Sequence, residues 1–273
     1  MYKLRAPASS ANIGSGFDSI GIALNLYNYV TFEESDEILV ECEDEVPKDG
    51  TNLIVDTVRK VYAQAGRTFR GLHVIQENHV PMVRGLGSSS TCIAAGVSIA
   101  GKLMGDNLSL HDKVTLAAMI EGHPDNVAPA LFGGLVTAVM DGGRVHTVSV
   151  PVAHAIRFAV FIPDFELKTE VARAALPSEV TRQDAVYNLS RAALMTASLF
   201  SGSLQNLRVA VQDRLHQPYR FPMIPGAETV FYTAYELGAY AVAISGAGPS
   251  ILAVLDRDNT AFPQLAKEKL DRA

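Results

Sequence analysis

The sequence is short of the residues that mark several classes of protein. Its 273 residues include only two cysteines, Cys42 and Cys92, which stand in no metal-ligand spacing. Two reduced thiols are therefore expected in place of a disulfide framework or a zinc site. Positive charge is also scarce: 23 Lys and Arg against 29 Asp and Glu leave a net charge of −6. That argues against a nucleic-acid partner held through its phosphates. A small anion is still allowed, because a helix N-terminus and a few local cations bind one in an acidic protein. No uninterrupted apolar run approaches the roughly 20 residues of a membrane span. The opening MYKLRAPASSANIG has no charged stretch followed by an apolar one, so a soluble cytoplasmic protein with no membrane partner is expected. Hydrophobic residues at 48% and charged residues at 19% suit a compact globular chain.

What is present is an alternation of strand and helix signals. Residues 2–6 and 20–32 are rich in β-branched and aromatic residues and predict strands. The acidic stretch 34–50 predicts a solvated edge strand or hairpin. A helix is expected to start near Thr51, with Leu53, Ile54, Thr57, Val58 and Val61 on one side, and a strand over 71–80. A buried helix over 88–104 precedes Gly105, and another runs from about Ser109, its N-cap, to Ile120. GGLVTAVM and RVHTVSVPV form a hairpin turned by Asp141-Gly142-Gly143. Pro151 to His154 is the candidate lobe boundary. Beyond it come a strand (AIRFAVFIP), helices over 181–201 and 203–215, and a helix in AETVFYTAYELG. AYAVAISGAGPSILAVLD then reads as strand, glycine turn and strand, with one closing helix. The pattern is α+β or α/β in two lobes.

Four stretches carry the chemistry. RGLGSSSTCIAAG, residues 84–96, leaves a strand and opens a helix, so backbone N–H groups and the positive end of the helix dipole would face a phosphate. Serine hydroxyls there are hard-oxygen ligands suited to Mg2+. No Gly-Lys-Ser/Thr follows and no G-x-G-x-x-G spacing is present, so this is neither common nucleotide loop; a capping loop with no ligand fits the same letters. EGHPDNVAPALFGG, residues 121–134, gathers Glu121, His123, Asp125 and Asn126, which read as a Mg2+ carboxylate with polar neighbours or as a helix-capping turn. ASSANIGSGFDSIG, residues 8–21, offers Asn12 and Asp18 to a small polar substrate, or forms an Asx turn. SGAGPS, residues 245–250, is a glycine turn between apolar strands.

In their order and spacing these stretches resemble the GHMP small-molecule kinases (galactokinase, homoserine kinase, mevalonate kinase and phosphomevalonate kinase). The family's three motifs correspond to residues 6–21, 81–90 and 245–250, and APASSANIGSGFDSIGIALNLY with EGHPDNVAPALFGG is similar to its homoserine-phosphorylating members. The resemblance implies a two-lobed α+β fold. Residues 1–150 would form a ribosomal protein S5 domain 2-like, ATP-binding lobe, and residues 151–273 a ferredoxin-like lobe. It implies phosphoryl transfer from ATP, with Mg2+, to the hydroxyl of L-homoserine in threonine biosynthesis, and a homodimer at family level. Pro81, Arg84, Gly85, Leu86, Gly87, Ser88, Ser89, Ser90 and Thr91 would wrap the phosphates, with Asn52 in the adenine pocket and Ser89 and Glu121 on the metal. Asn12, Asp18, His123, Asn126, Arg173 and Arg220 would surround the amino acid, and Asp18, Asn126 and Thr169 would act in catalysis. Asn126 stands where several members place an aspartate base, and an amide takes no proton at neutral pH, so catalysis by positioning and charge stabilisation is expected. A mevalonate-type alcohol as substrate and a catalytically silent nucleotide- or amino-acid-binding paralogue are the rival readings.

Overall fold

The computed structural model describes residues 1–105 and 108–272, and its contacts gather into two compact units. The first comprises Met1–Ser9, Ile22–Met82 and Gly87–Ser149. Its strands are β1 (Tyr2–Ala11), β2 (Ile20–Glu34), β3 (Ile38–Cys42), β4 (Leu72–Glu77), β5 (Leu135–Asp141) and β6 (Arg144–Val150), in the order β3-β4-β2-β5-β6 with β1 paired to β2. β2 runs antiparallel to β4 and β3 runs parallel to it. The acidic stretch does supply an edge strand: Leu39 and Glu41 of β3 are exposed while Val40 turns inward, and charge on an edge discourages further pairing. β5 and β6 join through Gly142 and Gly143, both at positive φ (54° and 76°), as a two-residue hairpin with the strands' own twist requires.

Four helices cover this sheet: α1 (Leu53–Gln64), α2 (Ser88–Leu103), α3 (Leu110–Glu121) and α4 (Val127–Phe132). α1 begins at Leu53 because the Asn52 side chain caps it, accepting from the N–H of Ile54 and Val55. α3 opens on a full capping box between Ser109 and Asp112. The small residues of α2 let it approach α1 closely: a Cβ on Gly96 would lie 2.6 Å from Thr57. One core results, with Val30 and Phe32 of β2 under Ile54, Val58, Ile93, Val97, Val114 and Val127; each such side chain contributes roughly 1.5–3 kcal/mol. α4 has no counterpart among the expected elements, since six residues are too few to display a helical period.

The second unit comprises Ser10–Gly21, Val83–Leu86 and the chain from Val150 onward. Two pieces expected in the first lobe are thus gathered into the second. β7 (Ile156–Phe161), β8 (Ala241–Ile244) and β9 (Ile251–Asp256) form an antiparallel sheet in the order β7-β9-β8. The central strand reads as an unbroken apolar run and is buried throughout its first five residues, as burial on both faces demands. Its helices are α5 (Thr169–Ala174), α6 (Arg182–Ser201), α7 (Leu207–Ala210), α8 (Gln217–Arg220), α9 (Ala227–Glu236) and α10 (Phe262–Leu270). The single helix expected over 203–215 does not form. A 3-10 turn at Leu204–Asn206 leads into α7, which ends at Ala210. The Asp213 carboxylate then accepts from the N–H groups of Leu215, His216 and Gln217 (2.9, 3.0 and 2.6 Å), and this local competition breaks one helix and starts the next.

Candidate active site

In the first unit, Gly87 caps α2 in the left-handed region (φ 68°) without any side-chain cap. A Cβ at Gly87 would lie 2.2 Å from Ser9 Oγ and 3.2 Å from Asn126 Oδ1, so only glycine lets the backbone pass over that pair. The first-turn N–H groups of a helix have no partners within it, and at α2 no side chain caps them. Ser89 and Ser90 both donate to Glu121 Oε1 at 2.8 Å; Ser89 is exposed and Ser90 is buried. The start of α2 and the end of α3 thereby bring one carboxylate and one accessible hydroxyl together. Among the described residues no cluster of three or more His, Cys, Asp or Glu is poised to hold a metal. One carboxylate with a hydroxyl is nevertheless the donor set of a Mg2+ that takes its remaining ligands from phosphate and water.

Between α3 and α4, His123 Nδ1 lies 2.7 Å from Asp125 Oδ1, with Asp125 only 2% exposed. Asn126 caps nothing with its side chain; its Oδ1 accepts from Ser9 Oγ at 2.9 Å. The helix-capping alternative for these residues is therefore not realised: the imidazole is oriented by a buried carboxylate and the amide by a serine. Tyr29 packs edge-on against His79, beside a cavity of 830 Å3 lined by Asp44, Lys48, Gln76, Asn78 and His79, among others.

Two residues expected to touch the nucleotide are spent on the protein. Asn52 is 2% exposed. Its oxygen caps α1, and its nitrogen donates to Pro47 O and Gln76 Oε1 at 2.9 and 2.8 Å. Thr91 is buried, donates to Ser88 O and accepts from Asn28 Nδ2. Leu86 is likewise buried, an anchor for the loop. Asn28 was not foreseen. It shares the inward phase of β2 with Val30 and Phe32, and its Oδ1 accepts from the N–H of His79 and Val80, both at 2.8 Å, bracing the approach to the loop. A polar residue at a core-phase position was the available signal.

The second unit carries the other cluster. Asn12 (φ 68°) and Asp18 (φ 52°) both adopt left-handed backbone. Asn12 is 4% exposed; it donates to Gly246 O at 2.7 Å and accepts from the Asp18 N–H at 2.9 Å. It shapes the turn and holds it to the SGAGPS stretch, a brace where a ligand contact was expected. Asp18 and Arg173 form a two-point pair, Nη1 to Oδ2 at 3.0 Å and Nη2 to Oδ1 at 2.9 Å, partly exposed at 35% and 43%. Thr169 opens α5, exposed, four residues before Arg173. Arg84 reaches Glu166 at 3.5 Å. Gly85 (φ 73°) passes so close to Ser245 O and Gly248 O that a Cβ would sit 2.4 and 2.6 Å from them.

Arg220 is 1% exposed. It donates to Gly246 O (3.1 Å) and Ala172 O (3.4 Å) and faces His216 Nδ1 at 3.2 Å. Charged-residue exposure alone would place both arginines at the surface; only Arg173 is there. Phe17 lies against both guanidinium groups and stacks on His216 at 5.0 Å and 18°. Burial depresses the His216 pKa below its ordinary value, with Arg220 adding to the effect and Asp213 opposing it. His216 and Asp213 gave no motif-level signal.

Residues 52–134 match the family of GHMP kinase N-terminal domains, and residues 193–267 match the GHMP kinase C-terminal family. The chain is 43% identical over 274 residues to a homoserine kinase of Caldicellulosiruptor bescii, covering 99% of this chain and 89% of that protein. It is 44% identical over 272 residues to a homoserine kinase of Clostridium beijerinckii, covering 99% and 91%. Among solved structures, a homoserine kinase from Cytophaga hutchinsonii superposes with a TM-score of 0.88 at 29% identity, covering 99% of this chain and 90% of that one.

Proposed function

The chain belongs to the GHMP kinase family, to its homoserine kinases, and from that premise we propose that it transfers the γ-phosphoryl group of ATP to the side-chain hydroxyl of L-homoserine. The product is O-phospho-L-homoserine, in threonine biosynthesis and in the cytoplasm; no helix among the described residues is long and apolar enough to cross a membrane. Residues 1–150 hold the nucleotide in this reading.

The observation that carries the substrate class is the Asp18–Arg173 pair. A zwitterionic amino acid matches it charge for charge. The substrate ammonium takes Asp18 in place of the guanidinium, and the substrate carboxylate takes the released two-pronged fork. Every charge remains paired, so the exchange leaves no bare ion. A mevalonate-type alcohol brings a carboxylate but nothing for Asp18. Arg220, beneath Phe17, adds positive potential behind the carboxylate end.

The α2 N-terminus, with its uncapped first turn and Gly87, receives the triphosphate through its N–H groups. Ser89 and Glu121 would hold Mg2+, which would supply charge neutralisation on the phosphates. Asn126, its Oδ1 fixed by Ser9, has an amide nitrogen to orient the acceptor hydroxyl, and His123, steered by Asp125, lines the same turn. The Asn126 amide takes no proton at neutral pH and so is not the base for the hydroxyl. Its proton leaves late, to a phosphate oxygen or water, as a loose phosphoryl-transfer transition state permits. Thr169 is assigned to the transferring phosphoryl group. The test is ADP release with L-homoserine and with mevalonate, plus mass identification of the product. Phosphohomoserine formed selectively is expected; turnover of mevalonate alone would refute the reading.

A further inference from the structure

We propose that His216 is a positioning residue for the amino-acid end of the site: a neutral imidazole that locks Arg220 and ties the Asn12–Asp18 turn to α8. The inference rests on the reading of Asp18 and Arg173 as the amino-acid site and adds a residue to it.

His216 has no exposed surface, and its two ring nitrogens meet partners of opposite kind. Nε2 is 2.7 Å from the carbonyl oxygen of Gly14, an acceptor only, so Nε2 carries the hydrogen. Nδ1 is 3.2 Å from Arg220 Nη1, a donor only, so Nδ1 presents its lone pair. The two contacts together select one tautomer of the neutral ring. The charges around the ring are Asp213 on its own turn (3.6 Å from Nε2), Arg220 and, farther off, Asp18. A proton added at Nδ1 would face the guanidinium and break that contact.

Each contact does mechanical work. Arg220 Nη1 is divided between His216 and Gly246 O, so the imidazole is one of the groups that hold this buried cation in place. The Gly14 contact lies inside the turn that ends at Asp18. Gly14 itself leaves no slack: a Cβ there would lie 2.1 Å from Val211 O. Phe17, stacked on the ring, is the surface against which Arg173 and Arg220 both rest. A change at His216 therefore reaches the two cations and the turn through direct contacts.

Asparagine places an acceptor near the Nδ1 position, and glutamine places a donor near the Nε2 position. His216→Ala is expected to raise KM for homoserine about tenfold or more, the size of a lost hydrogen bond to a charged group. KM for ATP should stay within twofold. His216→Asn should recover most of the homoserine KM and His216→Gln should not, because the Arg220 contact dominates; these two variants carry the comparison if the alanine variant is insoluble. An unchanged homoserine KM, equal changes in both KM values, or rescue by glutamine alone would overturn the proposal. A second readout needs no activity. Nitrogen-15 NMR of the wild-type imidazole is expected to show the neutral Nε2–H form from pH 6 to 8, and a ring protonated on Nδ1 or titrating in that range refutes it. If the wild-type chain leaves homoserine untouched, the functional reading fails while the NMR result still decides the tautomer.

Discussion

Replacing Arg173 by lysine separates a substrate fork from a structural clip. The pair with Asp18 is two-pronged, at 2.9 and 3.0 Å, yet its partners are 43% and 35% exposed. Exposed ion pairs contribute about 0–1 kcal/mol to stability. For a chain of this size that corresponds to a Tm loss of no more than about 2–4 °C. Asp18 keeps its place in the variant, because Asn12 holds its N–H. The consequence for binding is larger. A lysine makes one point contact where the guanidinium makes two, and one charge-assisted hydrogen bond is worth about 1.5–3 kcal/mol. At 1.4 kcal/mol per factor of ten, KM for homoserine should rise roughly 10- to 150-fold, while KM for ATP stays within twofold. Coupled ADP-release kinetics and a thermal melt on the same preparation measure both. A homoserine KM within twofold of wild type, with a Tm drop beyond 5 °C or so, would show that Arg173 braces the fold and that the amino acid binds elsewhere.

Glu121→Gln removes the carboxylate that Ser89 and Ser90 share; kcat should fall on the order of a hundredfold and the Mg2+ concentration for half-activity should rise, whereas an unchanged Mg2+ titration would remove Glu121 from the metal. Gly87→Ala places a Cβ 2.2 Å from Ser9 Oγ at φ 68°, so a stability loss of about 1–3 kcal/mol and a raised KM for ATP are expected, read by urea unfolding and kinetics. The depressed His216 pKa has a defined sign. Between that value and about 6.5 the unfolded chain binds a proton that the native ring refuses, so stability falls as pH drops below 6.5, by at most about 1.4 kcal/mol per pH unit for one proton. The urea midpoint at pH 5 against pH 7 should shift less in His216→Asn than in wild type.

How much was legible in the sequence depended on whether a signal was local. α2, α3 and the β5–β6 hairpin announce themselves because small-residue composition, a Ser109 cap and a double glycine act within a few residues. The helix expected over 203–215 fails for a reason equally local but written in a side chain: Asp213 diverts three N–H groups. The placement of Ser10–Gly21 and Val83–Leu86 with the second unit was not readable, since it rests on contacts such as Ser245 Oγ with Ser10 Oγ and Gly85 O across most of the chain.

The polar residues divide along a physical line that motif matching does not draw. A buried amide must satisfy its donors and acceptor inside the protein, and Asn12 and Asn52, at 4% and 2% exposed, do so completely enough to shape turns. Residues meant for a ligand must instead keep an exposed edge or trade one partner for another. Asp18, Arg173, Ser89 and Thr169 meet that condition, whereas Thr91 and Arg220 do not. A motif therefore marks a neighbourhood, and burial decides which of its members touches the substrate and which holds the others in place. On that criterion Asn28 and His216, buried polar side chains outside every motif, belong to the supporting set. Their substitution should shift the residues they hold and also cost stability, because it strands the backbone groups they satisfy.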